Sequence, residues 1–136
     1  LDVDRVTRLL FRNTTLARVR LLARALNSLE MHCGGRVAFL TVSKDMLEEV
    51  GLDANDADGI VNYGIDIVGG ECAALFKEAE RGKVKVSLRT KGLVDASALA
   101  AKFGGGGHAR AAGCSINTSI EEAKVQILEE LKALLE

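Results

Sequence analysis

Four consecutive glycines, Gly104, Gly105, Gly106 and Gly107, constrain this chain more than any other stretch. Glycine loses more backbone freedom on ordering than any other residue, so a run of four is costly to fold. Phe103 precedes the run, and His108, Ala109 and Arg110 carry it into Ala111, Ala112 and Gly113. Flexible linkers are polar at both ends, whereas this stretch returns to apolar residues on each side, so we read it as ordered. In a glycine turn the amide N–H groups point outward together and form a concavity suited to phosphate. His108 and Arg110 would add two donors beside that cradle.

The rest of the chain is compatible with a packed domain around that stretch. At 136 residues it is long enough for one domain with a real core, and 48% hydrophobic residues exclude a disordered tail. A formal net charge of −1 argues against a large basic surface that coats nucleic acid, so any such contact should be a local pocket. One tyrosine, four phenylalanines and no tryptophan leave little for extended base stacking on a single-strand platform. No apolar run approaches the roughly 20 residues that span a bilayer and no signal peptide is present, so no membrane partner is expected. Cys33, Cys72 and Cys114 are odd in number and widely spaced, which argues against a disulfide framework and for a reduced, cytoplasmic setting. Their spacing is also wrong for zinc. The acidic run 53–59 fails as a calcium loop, because Ile65 stands where the closing glutamate would be. The chain begins at Leu1 without an initiator methionine, so we expect a piece of a longer protein.

Read in order, residues 2–30 are helical in pattern: a short helix, a break at Asn13, Thr14 and Thr15, then a longer helix. Leu16, Val19, Leu22, Leu26 and Leu29 fall at helical spacing in the second, with Arg18, Arg20 and Arg24 between them. Gly34-Gly35 makes a turn, and 36–42 (RVAFLTV) reads as a strand covered on both faces. Ser43 caps a following helix, and 53–59 reads as an acidic, turn-rich loop. Residues 71–78 and 83–91 form a hairpin turning at Arg81-Gly82. Along its second strand Val84, Val86 and Leu88 share one face, while Lys85, Ser87, Arg89 and Lys91 share the other. We read Lys85, near the turn, as solvated. Arg89 and Lys91, at the far end, are candidates to meet a ligand, although an ion pair from Arg89 to Glu78 is the competing reading. Asp95 caps a short alanine-rich helix, a strand covers about 113–116, and Thr118-Ser119 with Glu121-Glu122 is a capping box for a last helix. Strands alternating with helices around one hairpin make this an α/β fold: a mixed β-sheet flanked by helices, with an N-terminal linker helix.

The segments KVSLRTK (85–91) and GGGGHARAAG (104–113) resemble the C-terminal DHH-associated domain, type one, of DHH-family phosphoesterases, and 58–62 (DGIVN) fits the same pattern. The likeness is greatest to the branch of bifunctional oligoribonucleases and pAp phosphatases. It implies a first segment, 1–30, leading from a missing catalytic domain, and a substrate-binding domain over 31–136. It further implies an upstream DHH domain holding manganese, a substrate of short RNA, pAp or another small phosphorylated nucleotide, and a parent protein able to form a homodimer. By position, the resemblance assigns His108 with Gly105, Gly106 and Gly107 to substrate phosphate, Arg89 and Lys91 to phosphate or nucleotide, and Asn62 and Arg110 to the pocket wall. With two histidines, His32 and His108, and no Asp-His-His run, the chain should bind without turning over. The same resemblance leaves open a nucleic-acid-binding module of a single-strand exonuclease or alanyl-tRNA synthetase. It also leaves open a part of an exopolyphosphatase-related or cyclic-dinucleotide phosphodiesterase.

Overall fold

The computed structural model describes residues 14–67 and 69–136, so the short helix expected ahead of Asn13 lies outside the described residues. Thr15 caps α1 (Leu16–Asn27), its hydroxyl accepting the Arg18 N–H. The leucine stripe read from the sequence is not the face that this helix buries. Leu21 and Ala25 are buried, whereas Leu16, Val19, Leu26 and Leu29 stay exposed. The buried face is rotated roughly a third of a turn from the stripe. Arg18 pairs with Asp56 at 2.8 Å and draws that side onto the domain.

Strands β1 (Glu30–His32), β2 (Val37–Val42), β3 (Cys72–Glu80), β4 (Lys83–Thr90), β5 (Gly106–Gly107) and β6 (Ala111–Ile116) form one mixed sheet. Their spatial order is β1-β2-β3-β4-β6-β5, with β2 and β3 parallel and every other neighbour antiparallel. A parallel pair needs a crossover. Here α2 (Lys44–Val50), a 3-10 helix (Ala54–Ile60) and α3 (Val61–Ile65) supply it. The acidic run expected as a loop is therefore helical. Asp53 holds the Asn55 N–H, and Asp56 reaches back to the Asp53 N–H at 2.9 Å, a reciprocal cap that winds the turn. Ser43 caps α2 as expected. After β4, Asp95 caps α4 (Ala96–Ala101), and Ser119 opens α5 (Ile120–Leu135) by accepting the Glu122 N–H at 3.2 Å.

Alternation along the strands builds two cores. On one face Phe39, Phe76, Val86, Leu88 and Cys114 pack under Leu99 of α4 and Ala123, Ile127 and Leu131 of α5. On the other, Ala38, Leu40, Ala73 and Leu75 pack under α1, α2, the 3-10 helix and α3. That second core stops at β3. The face of β4 and β6 beside it carries Lys85, Ser87, Arg89, Gly113 and Ser115, which are half-buried or exposed.

Candidate functional site

The register of the last strands arranges the open face into rows. Arg89 pairs with Ala111, and Ala111 exchanges backbone hydrogen bonds with His108, so Arg89 and His108 flank Ala111 on one face. The middle row runs Ser87, Gly113, Gly106. The third runs Lys77, Lys85, Ser115. The strip thus reads basic, bare, basic along the strand direction.

The glycine run is ordered for reasons that differ residue by residue. A Cβ on Gly105 would stand 2.1 Å from the Gly113 carbonyl oxygen, and one on Gly107 would stand 2.6 Å from that of Ala111. Those two are glycine so that the β5 edge can close on β6. Gly104 sits at φ 79, where side chains are strained. Gly106 has neither constraint, and a Cβ there would meet open space. Packing does not explain Gly106.

The outward fan of amides expected of the run does not form. The Gly104 N–H donates to Ala101 and the Gly105 N–H to Ala100 at 2.9 Å, closing the end of α4. Because His108 and Ala111 are a hydrogen-bonded pair, alternation makes Gly106 and Gly113 the next such pair and leaves the Gly107 N–H facing out of the sheet edge. One free amide beside His108 replaces the expected cradle.

The hairpin tip is firmly placed. The Ala109 carbonyl accepts the Ala96 N–H at 2.7 Å and the Thr90 hydroxyl, and the Arg110 carbonyl accepts the Thr90 N–H. Arg110 is exposed there beside Gly92, and Lys91 is exposed one residue beyond β4. The structure therefore gathers Arg89, Lys91, Gly107, His108 and Arg110 at one end of the strip, with Gly106 in the row beside them and Gly105 at the other end. Asn62 is exposed on α3, which packs on the same side of the sheet through Gly64 against Ala73 and Leu40. The alternative partner for Arg89 is excluded by register: Glu78 lies opposite Val84, and its carboxylate takes the Lys44 N–H.

Sequence reasoning missed the other end. A cleft of about 450 Å³ is lined there by Asn55, Asp58, Lys77, Lys85, Ser87 and Ser115, with the backbone at Gly104, Gly105 and Gly113. Lys85 is thus a groove residue and not simply solvated. Lys77 is 5% exposed and its ammonium pairs with Asp58. A lysine inside the apolar run CAALF-K of β3 was the available signal.

The cysteines are free. Burial pushes the Cys72 thiol up to about 12 and that of Cys114 to about 11, so both stay protonated at neutral pH and are poor nucleophiles. Among the described residues no three His, Cys, Asp or Glu side chains converge, so a manganese ion has no ligand set here. No described helix is long and apolar enough to cross a membrane.

A mixed sheet with a covered face, a crossover of short helices and a glycine hairpin at the edge defines the class of domain. The DHHA1 domain matches residues 34–136, and the chain belongs to that family. It is 33% identical over 116 residues to the bifunctional oligoribonuclease and PAP phosphatase NrnA of Thermus thermophilus, a match covering 83% of this chain and 33% of that protein. It is 38% identical over 97 residues to the NrnA of Bacillus subtilis, covering 71% of this chain and 30% of that protein. The chain thus spans about a third of the length of these relatives. Among solved structures, an exopolyphosphatase-related protein from Bacteroides fragilis superposes with a TM-score of 0.83 at 28% identity, over 99% of this chain and 41% of that one. A pGpG-specific phosphodiesterase, PggH, from Vibrio cholerae shares the fold at a TM-score of 0.61 and 16% identity, over 98% of this chain and 43% of that one.

Proposed function

We propose that this chain is the substrate-binding half of a manganese-dependent phosphoesterase that hydrolyses short oligoribonucleotides, pAp or both. The observation that carries this reading is the row of Arg89 and His108 about Ala111, beside the outward Gly107 N–H. A planar guanidinium, an imidazole and one free amide supply directed donors for a phosphate, and the bare Gly106 leaves room for the nucleotide beside them. Lys91 and Arg110 add positive charge at the rim, and Asn62 faces the nucleotide from α3. In this reading the manganese chemistry belongs to an upstream DHH domain, and these residues bind and orient the substrate. The oligoribonuclease and PAP phosphatase names of the two NrnA relatives support the choice of substrate class. A long-strand surface along α1 is disfavoured, because Arg18 is paired with Asp56 and Arg24 with Glu49.

Titration with pAp, followed by amide shifts in NMR spectra, tests the reading. Shifts should be confined to Gly106, Gly107, His108 and Arg89, be the same with and without manganese, and weaken about tenfold or more in His108→Ala. No shift at millimolar pAp would overturn it. Shifts spread over α1, seen only with longer strands, would instead favour a general nucleic-acid-binding module.

A further inference from the structure

Lys77 and Lys85 are direct cross-strand partners on the same face of the sheet. Like charges directly opposite one another are destabilising, so a pair of this kind needs an explanation. Asp58, from the 3-10 helix, neutralises one of the two by pairing with Lys77. Lys85 has no carboxylate partner among the described residues. It stands half-buried at a cleft of about 450 Å³ with the hydroxyl-bearing Ser87 and Ser115 and the side-chain-free backbone of Gly104, Gly105 and Gly113. One unneutralised cation, two hydroxyls and close backbone form a site for a phosphate oxygen.

This site is not the one at Arg89 and His108. Lys85 and Arg89 are four residues apart on β4, roughly 13 Å at about 3.3 Å per residue. That is longer than the step from one phosphate to the next along a single nucleic-acid strand. Between the two lies the row of Ser87, Gly113 and Gly106, which carries no large side chain. We propose that the Lys85 cleft is a second anion subsite, which holds a phosphate further along the same short strand whose first phosphate sits at Arg89 and His108. The inference rests on the phosphate-binding reading above. It assigns Lys85 as the residue that distinguishes a trinucleotide from a mononucleotide, with Lys77 and Asp58 as positioning residues that fix the floor and wall of the cleft.

The test compares pAp with a 5′-phosphorylated trinucleotide on the whole chain, wild type and Lys85→Ala, by NMR shifts and salt-dependent affinity. The trinucleotide should bind about three- to tenfold more tightly than pAp. It should shift the amides of Lys85, Ser115 and Gly104, which pAp leaves unmoved. Its log affinity should fall with log salt more steeply by about 0.7 for each extra phosphate engaged. Lys85→Ala should abolish that gain and that extra slope while the pAp shifts at Gly106 and His108 persist, and Ser115→Ala should reduce the gain in part. A trinucleotide advantage that survives in Lys85→Ala, or no shift at Lys85 and Ser115, would overturn the subsite and leave the Arg89 and His108 site standing. Failure of pAp to move Gly106 and His108 in the wild type would instead strike the earlier reading.

Discussion

The two faces of the β3–β4–β6 region are made by the same strands and serve opposite ends. Along β4 the residues Val84, Val86 and Leu88 point into the core beneath α4 and α5, and none is more than 2% exposed. The alternate residues Lys85, Ser87 and Arg89 lie outside the second core and are only half-buried. The boundary is visible within β3 itself: Ala73 and Leu75 meet the crossover helices, and two residues on Lys77 meets the cleft. Strand alternation alone does not create a binding face. It creates two faces, and the one left uncovered by the short crossover becomes free to carry charge and bare backbone. Stability and recognition should therefore separate by parity, since adjacent residues on one strand belong to different tasks.

The largest expected effect breaks the covered face. Phe76 is fully buried against Phe39, ring centroids 4.8 Å apart in an edge-to-face contact. Phe76→Ala should cost about 3–5 kcal/mol in urea unfolding, a large share of a typical domain's 5–15 kcal/mol. Lys85→Ala, across the sheet, should stay within about 0.5 kcal/mol of wild type. Comparable losses would mean that the faces are not energetically distinct.

A finer cut runs through the glycine hairpin. Gly105→Ala places a methyl 2.1 Å from the Gly113 carbonyl oxygen and 2.6 Å from the Cys114 Cβ, so β5 must leave β6. We expect a loss of about 1–3 kcal/mol and disordered β5 amides. Gly106→Ala meets open space at ordinary backbone angles, so stability should hold while the methyl intrudes on the bare row and weakens pAp binding. Circular-dichroism melts alongside pAp titration separate the two; a destabilised Gly106→Ala with normal binding would mean that the glycine is structural after all.

These contrasts also show what the sequence made legible. The parity of β4 and the caps at Ser43, Asp95 and Ser119 are local patterns, and the structure keeps them. The Arg89 and His108 end was legible because both residues lie in short motifs. The Lys77–Lys85 end was not, because it depends on register: no local pattern says that Lys77 faces Lys85, or that Asp58, 19 residues before Lys77, closes the cleft. The facing of α1 failed for the same reason, since packing of Leu21 and Ala25 against Leu47, Ala54 and Ala57, far along the chain, decides which side is buried. The glycine run misled in one respect. Glycine clusters predict exposed amides, but here α4 and β6 consume most of them.

The smallest effect concerns how the hairpin is held. Asp95 caps α4 through Ser97 and Ala98, and the same helix start binds the hairpin tip through the Ala96 N–H and the Ala109 carbonyl. The Ser97 hydroxyl first, then the Ala98 N–H, lower the Asp95 carboxyl below its ordinary 3.8, against a weak opposing push from burial. A carboxyl whose folded value is depressed contributes stability that is present above the unfolded value and lost as pH falls through the folded one. Protection of the Gly106, Gly107 and His108 amides, corrected for intrinsic exchange, should therefore decline as pH drops below 3.8, ahead of the amides under α5. Asparagine also caps helices well but does not titrate, so Asp95→Asn should flatten that decline at the hairpin. Asp56 is lowered too, by the Asp53 N–H and Arg18, but it acts beneath α1, so its protonation should loosen α1 and leave the hairpin unchanged. An equal decline at the hairpin in wild type and Asp95→Asn would mean that the tip is held by β6 pairing alone, and that α4 merely leads into the open face without fixing it.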